Sequence, residues 1–241
     1  MSAGWIIISG AGGSLGSGFV RHYAEQGRQV LALDVRPDAV PKSSNVMVVR
    51  ADLTSAGEVD EALDHIPRSD PIDLLVNAVG MIWNEPVVAL KGGRVVAHAS
   101  ETFVKVIEAN LIAAFVVATR IATRMARKGG GVIINFSSVS ANGIAGQAAY
   151  SAAKAGVAGL TRAMAAELGP MSVRVNAVAP GFIDVASTRM ALPEAKIAEY
   201  LTRTPAGRLG SLSELIDAVE FLTTNRFVNG AVLDVDGGLK V

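Results

Sequence analysis

Ser138, Tyr150 and Lys154 stand close together in the chain and have the types and spacing for proton transfer. Tyr150 and Lys154 lie four residues apart in an Ala-rich segment that should be helical, which puts the ammonium one turn from the phenol. A nearby cation favours phenolate and lowers a pKa that starts near ~10. Ser138 follows the apolar run Gly131-Val-Ile-Ile-Asn-Phe136, which reads as a buried strand ending in hydroxyl residues. From there its hydroxyl can hold an oxygen beside the phenol. Taken singly, each residue has a plainer use: Ser138 as strand punctuation, Tyr150 as an amphipathic core residue, Lys154 as a solvated lysine. The Ser-rich strand end and a glycine-rich loop near the N-terminus shift the balance toward chemistry.

These residues must be positioned by the elements around them. Strand patterns at Trp5–Ser9, Val30–Asp34, Val46–Arg50, Asp73–Asn77, Val132–Ser137, Val173–Ala179 and Ala231–Val235 alternate with helical ones. The helices are expected near Leu15–Gln26, Gly57–His65, Glu101–Arg127, Ser151–Leu168 and Leu212–Thr223. Such alternation predicts an α/β fold, a doubly wound seven-stranded parallel sheet with helices on both faces. Ser55-Ala-Gly-Glu58 and Ser211-Leu-Ser-Glu214 have the form of capping boxes. Between Arg36 and Asn45, two prolines and no helical period predict a short or missing crossover helix. One domain over 1–241 suits this length, with a substrate lid near 182–208.

Ser9-Gly-Ala-Gly-Gly-Ser-Leu-Gly16 links the first strand to the first helix. Bare N–H groups at a helix N-terminus make an anion site suited to a phosphate, so Gly10, Gly13, Ser14, Leu15 and Gly16 are candidate cofactor contacts. Leu15 stands where the third glycine of Gly-x-Gly-x-x-Gly belongs. Asp34 ends the second strand about twenty residues on, where an acid can bind the ribose hydroxyls of NAD and would repel the 2′-phosphate of NADP. The Glu101–Arg127 helix carries an apolar stripe of Phe103, Ile107, Asn110, Ala114, Val117 and Ile121, in which Asn110 is the one polar member. A buried amide must find partners, as a structural tie or within the site.

Bulk composition excludes several classes. Net charge is +0, with 22 basic and 22 acidic residues scattered, which argues against a nucleic-acid face or an anionic-membrane surface. There are 0 cysteines, so thiolate metal sites and cysteine nucleophiles are excluded, and no metal is expected. Neither a leader nor a continuous membrane-length apolar run is visible, which predicts a soluble cytoplasmic protein.

In this order and spacing, the motifs resemble the short-chain dehydrogenase/reductase family from about Gly4 to Gly238. The marks are Ser9–Gly16, Asp52-Leu53, Asn77-Ala-Val-Gly80, Asn110, Ser138, Tyr150 with Lys154, Asn176 with Pro180-Gly181, Gly207-Arg-Leu-Gly210 and Val235-Asp-Gly-Gly238. The resemblance implies a Rossmann-type fold with Tyr150 as general acid/base and Ser138 orienting the substrate oxygen. It implies that Lys154 lowers the Tyr150 pKa and binds the nicotinamide ribose, while Asn110 holds a water in a proton relay. Asp52 and Leu53 would flank the adenine, and Asn77, Ala78 and Gly80 would lie along the cofactor. Ile183, after Pro180-Gly181, would touch the carboxamide through its backbone.

The chain departs from the family pattern in places. Ser14 replaces the middle glycine of the phosphate loop, and Val185 replaces a threonine that often binds the carboxamide. Ser138 to Tyr150 is one residue short. Ser138 is preferred to Ser137 because Asn135-Phe-Ser-Ser138 keeps the strand register. NADP members usually carry a basic residue where this chain has Gly13 and Val35, so NAD is expected although Arg36 lies close by.

The implied activity is hydride transfer between NAD and a secondary alcohol or ketone, acting on a small molecule. The same residues serve 3-hydroxyacyl and 3-oxoacyl thioesters, and the Leu90–His98 insertion is loosely similar to hydroxyacyl-CoA dehydrogenases. A non-catalytic NAD-binding regulator is the competing class, and it has no need to keep all four of Asn110, Ser138, Tyr150 and Lys154. Apolar and small-residue helix faces, the latter at Ala152, Ala155, Gly156 and Gly159, predict a homo-oligomer, and the family resemblance suggests a tetramer.

Overall fold

The computed structural model describes residues 4–239. Its main sheet contains strands β1 (Trp5–Ser9), β2 (Val30–Asp34), β3 (Val46–Arg50), β4 (Ile72–Asn77), β7 (Gly131–Phe136), β8 (Val173–Pro180) and β9 (Val232–Val235), all parallel. The spatial order is β3-β2-β1-β4-β7-β8-β9. The order reverses between β1 and β4, which leaves a crevice at the carboxyl ends of those strands, where open α/β sheets bind ligands. The three N-terminal strands have the limits their apolar runs predict. Between β4 and the long helix lies an unforeseen hairpin, β5 (Val88–Lys91) with β6 (Arg94–Ala97), antiparallel and separate from the main sheet.

Strand side chains alternate between two cores, as a pleat requires. Ile7, Leu31, Leu33, Leu75 and Ile133 face α2 (Ala56–Leu63), α4 (Ala113–Arg127) and α5 (Ala148–Leu168). Ile6, Ile8, Ala32, Val76 and Ile134 face α1 (Gly16–Glu25) and α8 (Leu212–Thr224), which contribute Phe19, Val20, Leu215, Val219 and Leu222. Each fully buried Ile or Leu contributes roughly 1.5–3 kcal/mol relative to exposure. Two-sided burial explains why the strands read as continuous apolar runs rather than alternating ones.

Details depart from expectation for local reasons. Ser211 and Glu214 form a complete capping box at α8. At α2 only half forms: Ser55 accepts from Glu58 N, while the Glu58 carboxylate accepts from Asp52 N at 2.8 Å. The prolines of the 36–45 segment leave a single 3₁₀ turn, Pro37–Ala39. The expected lid segment contains two helices, α6 (Ala186–Ala191) and α7 (Glu194–Arg203).

The long helix has an internal irregularity. α3 (Ser100–Ile107) passes into a π turn at Glu108–Ile112 before α4 begins. A wide turn rotates everything before it relative to everything after. Beyond the turn the predicted stripe is buried, at Ala114, Val117 and Ile121; before it, Val106 faces inward and Phe103 is exposed. By length and mean hydropathy (1.7) Ser100–Arg127 could cross a membrane, a property missed because Glu108 and Arg120 interrupt any strict apolar run. In the fold its Val117, Ile121 and Met125 pack into the sheet core, and Arg120 pairs with Asp60 of α2.

Candidate active site

The carboxyl ends of β1, β4, β7 and β8 open into a cleft of about 540 Å³. At one end are Gly12, Gly13, Ser14 and Leu15; at the other are Ser138, Tyr150 and Lys154, with Ala78, Gly80, Pro180, Gly181 and Ile183 between.

The glycine loop is shaped by close backbone approach. Gly10 has φ +66°, and a Cβ there would meet the Ala78 carbonyl at 2.8 Å. A Cβ on Gly16 would lie 2.1 Å from the Gly10 carbonyl, so the turn into α1 closes only without side chains. Leu15 caps α1 without a side-chain bond, leaving the helix N-terminus facing the cleft. This arrangement suits a dinucleotide phosphate. Ser14 Oγ accepts from Ser187 N at 3.1 Å, joining the loop to α6.

Asp34 is buried at the end of β2; its Oδ2 accepts from Gly12 N and its Oδ1 from Arg36 N, both at 2.9 Å. Each oxygen keeps a lone pair for a ribose hydroxyl. Arg36 lines the cleft beside it. Asp52 is exposed at the end of β3, and bonds from Thr54 N and Oγ1 hold its carboxyl below the usual range. Leu53 packs into the sheet core, and neither it nor Asp52 lines the cleft. The Asn77 side chain is also turned inward: Oδ1 accepts from Ser9 Oγ, and Nδ2 donates to Ala114 O and Asn135 Oδ1. Asn135 continues to Thr161 Oγ1, making a buried polar tie across the sheet.

At the chemical end, adjacent serines separate cleanly. Ser137 Oγ donates to the Lys154 carbonyl at 2.9 Å, fixing β7 to α5. Ser138 lines the cleft together with Tyr150, and its Oγ accepts from Ser140 N at 3.1 Å. Tyr150 is pushed up to about 12 by burial, with the Ser138 hydroxyl acting against that. The expected lowering by Lys154 does not dominate, since the ammonium is 5.6 Å from the ring centroid and donates to the Phe136 carbonyl at 2.9 Å. Burial pulls Lys154 itself down to about 8.

Asn110 sits in the π turn, fully buried. Its Nδ2 donates to Met81 O and Val106 O, and its Oδ1 accepts from Met81 N, so it holds the loop after β4. A Cβ on Gly80 would stand 2.5 Å from Asn110 Oδ1 and 3.2 Å from Lys154 Nζ. The bare glycine therefore lets these two polar groups face one small space.

The substrate side was harder to foresee. Met81, Ile82, Val139, Phe182, Met190 and Leu192 give it an apolar lining, with Ser140, Gln147 and Thr188 among the polar groups. Val185 also lines the cleft, so no hydroxyl is presented there. Arg189 and Lys196 of the same segment are paired with Asp184 at 2.7 Å and Glu199 at 2.6 Å.

The chain is similar to known proteins in sequence and fold. A family model described as enoyl-(acyl carrier protein) reductase matches residues 10–240. The 3-oxoacyl-[acyl-carrier-protein] reductase MabA of Mycobacterium tuberculosis is 35% identical over 97% of this chain and 92% of its own length. The 3-hydroxyacyl-CoA dehydrogenase type-2 of Homo sapiens is 33% identical over 98% of this chain and 94% of its own. Among solved structures, a candidate gluconate dehydrogenase from Agrobacterium tumefaciens has a TM-score of 0.87 at 29% identity, covering 98% of this chain and 96% of that one. The 3-hydroxyacyl-CoA dehydrogenase type-2 from Mycobacterium avium has a TM-score of 0.85 at 30% identity, covering 99% and 96%. With the match extending over nearly the whole sequence and fold, this chain belongs to the short-chain dehydrogenase/reductase family and is an oxidoreductase of CH–OH and ketone groups.

Proposed function

We propose that the chain interconverts a 3-hydroxyacyl thioester and its 3-oxo form with NAD(H), using Tyr150 as general acid/base. The observation that carries this reading is a buried phenol that lines the cleft with Ser138, one helical turn from a buried ammonium, among apolar side chains. When bound, the nicotinamide supplies or accepts the hydride. In reduction, the Tyr150 phenol gives its proton to the carbonyl oxygen, and Ser138 donates a hydrogen bond that orients that oxygen. The phenolate left behind is stabilised by Ser138 and by the Lys154 ammonium. Oxidation runs the same proton back. In the space above Gly80, the Asn110 carboxamide oxygen would hold a water to which the Lys154 ammonium passes a proton.

The thioester assignment is supported by relatives named for 3-oxoacyl and 3-hydroxyacyl substrates and by the apolar lining. A sugar acid, the substrate class named for one structural neighbour, would leave hydroxyls facing Met81, Ile82 and Met190 without partners. NADH oxidation with acetoacetyl-CoA, cyclohexanone and the oxo acid of gluconate separates these readings. The thioester should give the highest kcat/KM; a higher value with the sugar acid overturns the assignment.

NAD follows from Asp34, whose carboxylate would repel a 2′-phosphate. Arg36 supports a second reading, NADP, because its side chain is 70% exposed and only 3.9 Å from Asp34. Titration with NADH and NADPH should favour NADH, and Asp34→Ser should narrow the gap; equal affinities would remove NAD preference. We also assign 182–208 as a lid and the exposed apolar residues Phe103, Val104, Ile112 and Phe115 as part of a homo-oligomer contact, in keeping with a tetramer.

A further inference from the structure

A line of polar side chains connects Ser138 to α6, and neither the acid/base site nor the cofactor cradle requires it. Ser138 Oγ accepts from Ser140 N at 3.1 Å, and Ser140 Oγ donates to Gln147 Oε1 at 2.8 Å. Gln147 Nε2 donates to Asn84 Oδ1 at 2.7 Å, and Asn84 Nδ2 donates to the carbonyl of Ala191, the last residue of α6, at 3.4 Å. Gln147 is 4% exposed and stands immediately before α5, the helix that carries Tyr150. Its neighbours are fixed too: Glu85 N donates to Gly146 O at 2.7 Å, so the Asn84 loop is pinned beside Gln147.

The chemistry of the chain gives it direction. Ser138 accepts from the backbone and so keeps its hydroxyl hydrogen for an oxygen in the cleft. Linked bonds polarise one another, so a donor that is itself accepting becomes a better donor. An amide accepts at one end and donates at the other, which is what Gln147 does between Ser140 and Asn84. A carboxylate of the same shape accepts only.

We propose that Gln147 is a positioning residue: its amide couples the Ser138 hydroxyl to α6 through Ser140 and Asn84, so that the oxygen-binding end of the site is set when the 182–208 segment lies over the cleft. The inference rests on the oxidoreductase reading of Ser138 and on the lid assignment. It predicts that a change at Gln147, which makes no bond to α6, is felt there. It also predicts that a change at exposed Asn84 is felt in chemistry rather than in cofactor binding.

Gln147→Glu keeps the acceptor for Ser140 and loses the donor for Asn84. Asn84→Asp keeps the acceptor for Gln147 and loses the donor for Ala191. Backbone hydrogen exchange of 186–192 is measured in the parent and both variants, alongside kcat and KM with NADH and acetoacetyl-CoA. Both variants should exchange faster in 186–192. They should lose roughly tenfold in kcat, within what a small misplacement of a reacting group costs, with KM for NADH held within about twofold. Asn84→Gln, which retains both amide functions, should recover part of kcat where Asn84→Asp does not. Parental exchange in Gln147→Glu overturns the coupling, whatever the turnover. Faster exchange with parental kcat overturns the positioning role. A parent inactive on acetoacetyl-CoA counts against the thioester reading alone, because the exchange comparison still decides the coupling.

Discussion

The Lys154 ammonium and the Phe136 carbonyl are joined by a 2.9 Å hydrogen bond, so the buried cation is held by the end of the strand that also presents Ser138. Its charge therefore has a fixed position but a weakened hold on its proton, at about 8. The ammonium is present below that value and lost as pH rises through it. Carbonyl reduction should fall on the alkaline side with a midpoint near 8, in step with Lys154, while Tyr150 at about 12 remains protonated. A pH profile of kcat for reduction, flat through that region, would remove Lys154 from the mechanism.

Tyr150→Phe keeps the ring in place and removes the proton. Turnover should drop by roughly 10² to 10⁴, the usual share of a positioned acid/base, with NADH affinity close to parental. Stopped-flow fluorescence for binding and steady-state rates for turnover distinguish this from unfolding. Near-parental turnover would contradict the assignment.

The adjacent serines should behave oppositely. Ser138→Ala should lose most activity and change the melting temperature little, since Ser138 is partly exposed in the cleft. Ser137→Ala removes a buried tie to the Lys154 carbonyl and should cost about 1–3 kcal/mol of stability. Denaturant unfolding and kcat measured on both variants test the division.

Gly80→Ala should be more damaging than its size suggests. Gly80 has φ +148°, a backbone region that strains any side chain, and the added Cβ would crowd Asn110 Oδ1 and Lys154 Nζ. A loss of about 1–3 kcal/mol, with a larger fall in activity than in cofactor affinity, is expected. Thermal melting and kcat check it; a parental value of both would show that the space above Gly80 is unused.

Oligomerisation is measured directly by light scattering. Phe103, Val104, Ile112 and Phe115 are all more than 40% exposed in one chain. A multiple of 24.9 kDa is expected, and a monomer mass at working concentration would count against it.

Much of the sheet was legible because parallel strands buried on both faces leave long apolar runs whose ends are set by backbone turns. Trp5–Ser9 and Val30–Asp34 are of this kind. Ser138, Tyr150 and Lys154 were legible because one strand end and one helix turn bring them together. Gln147, Ser140 and Asn84 were not, since their meaning lies in contacts between a loop after β4 and the turn before α5, and polar residues in loops look alike in sequence. The family resemblance points Asn77 toward the cofactor, whereas register places it opposite Asn135, and its amide bonds within the sheet. The β5–β6 hairpin escaped because its exposed Val88, Leu90 and Val95 lack the polar face that marks a hairpin.

The π turn at Glu108–Ile112 means that the number of residues, as well as their identity, is part of this active site. A wide turn is equivalent to one residue added to a regular helix. Substitutions would leave that count intact, however drastic their chemistry. A single deletion within the turn would allow an unbroken α-helix, and Asn110 would swing away from Met81 and Gly80 while α4 kept its seat on the sheet. Comparison of relatives by identity alone would overlook such a change, and alignment gaps inside a helix should be read here as functional positions.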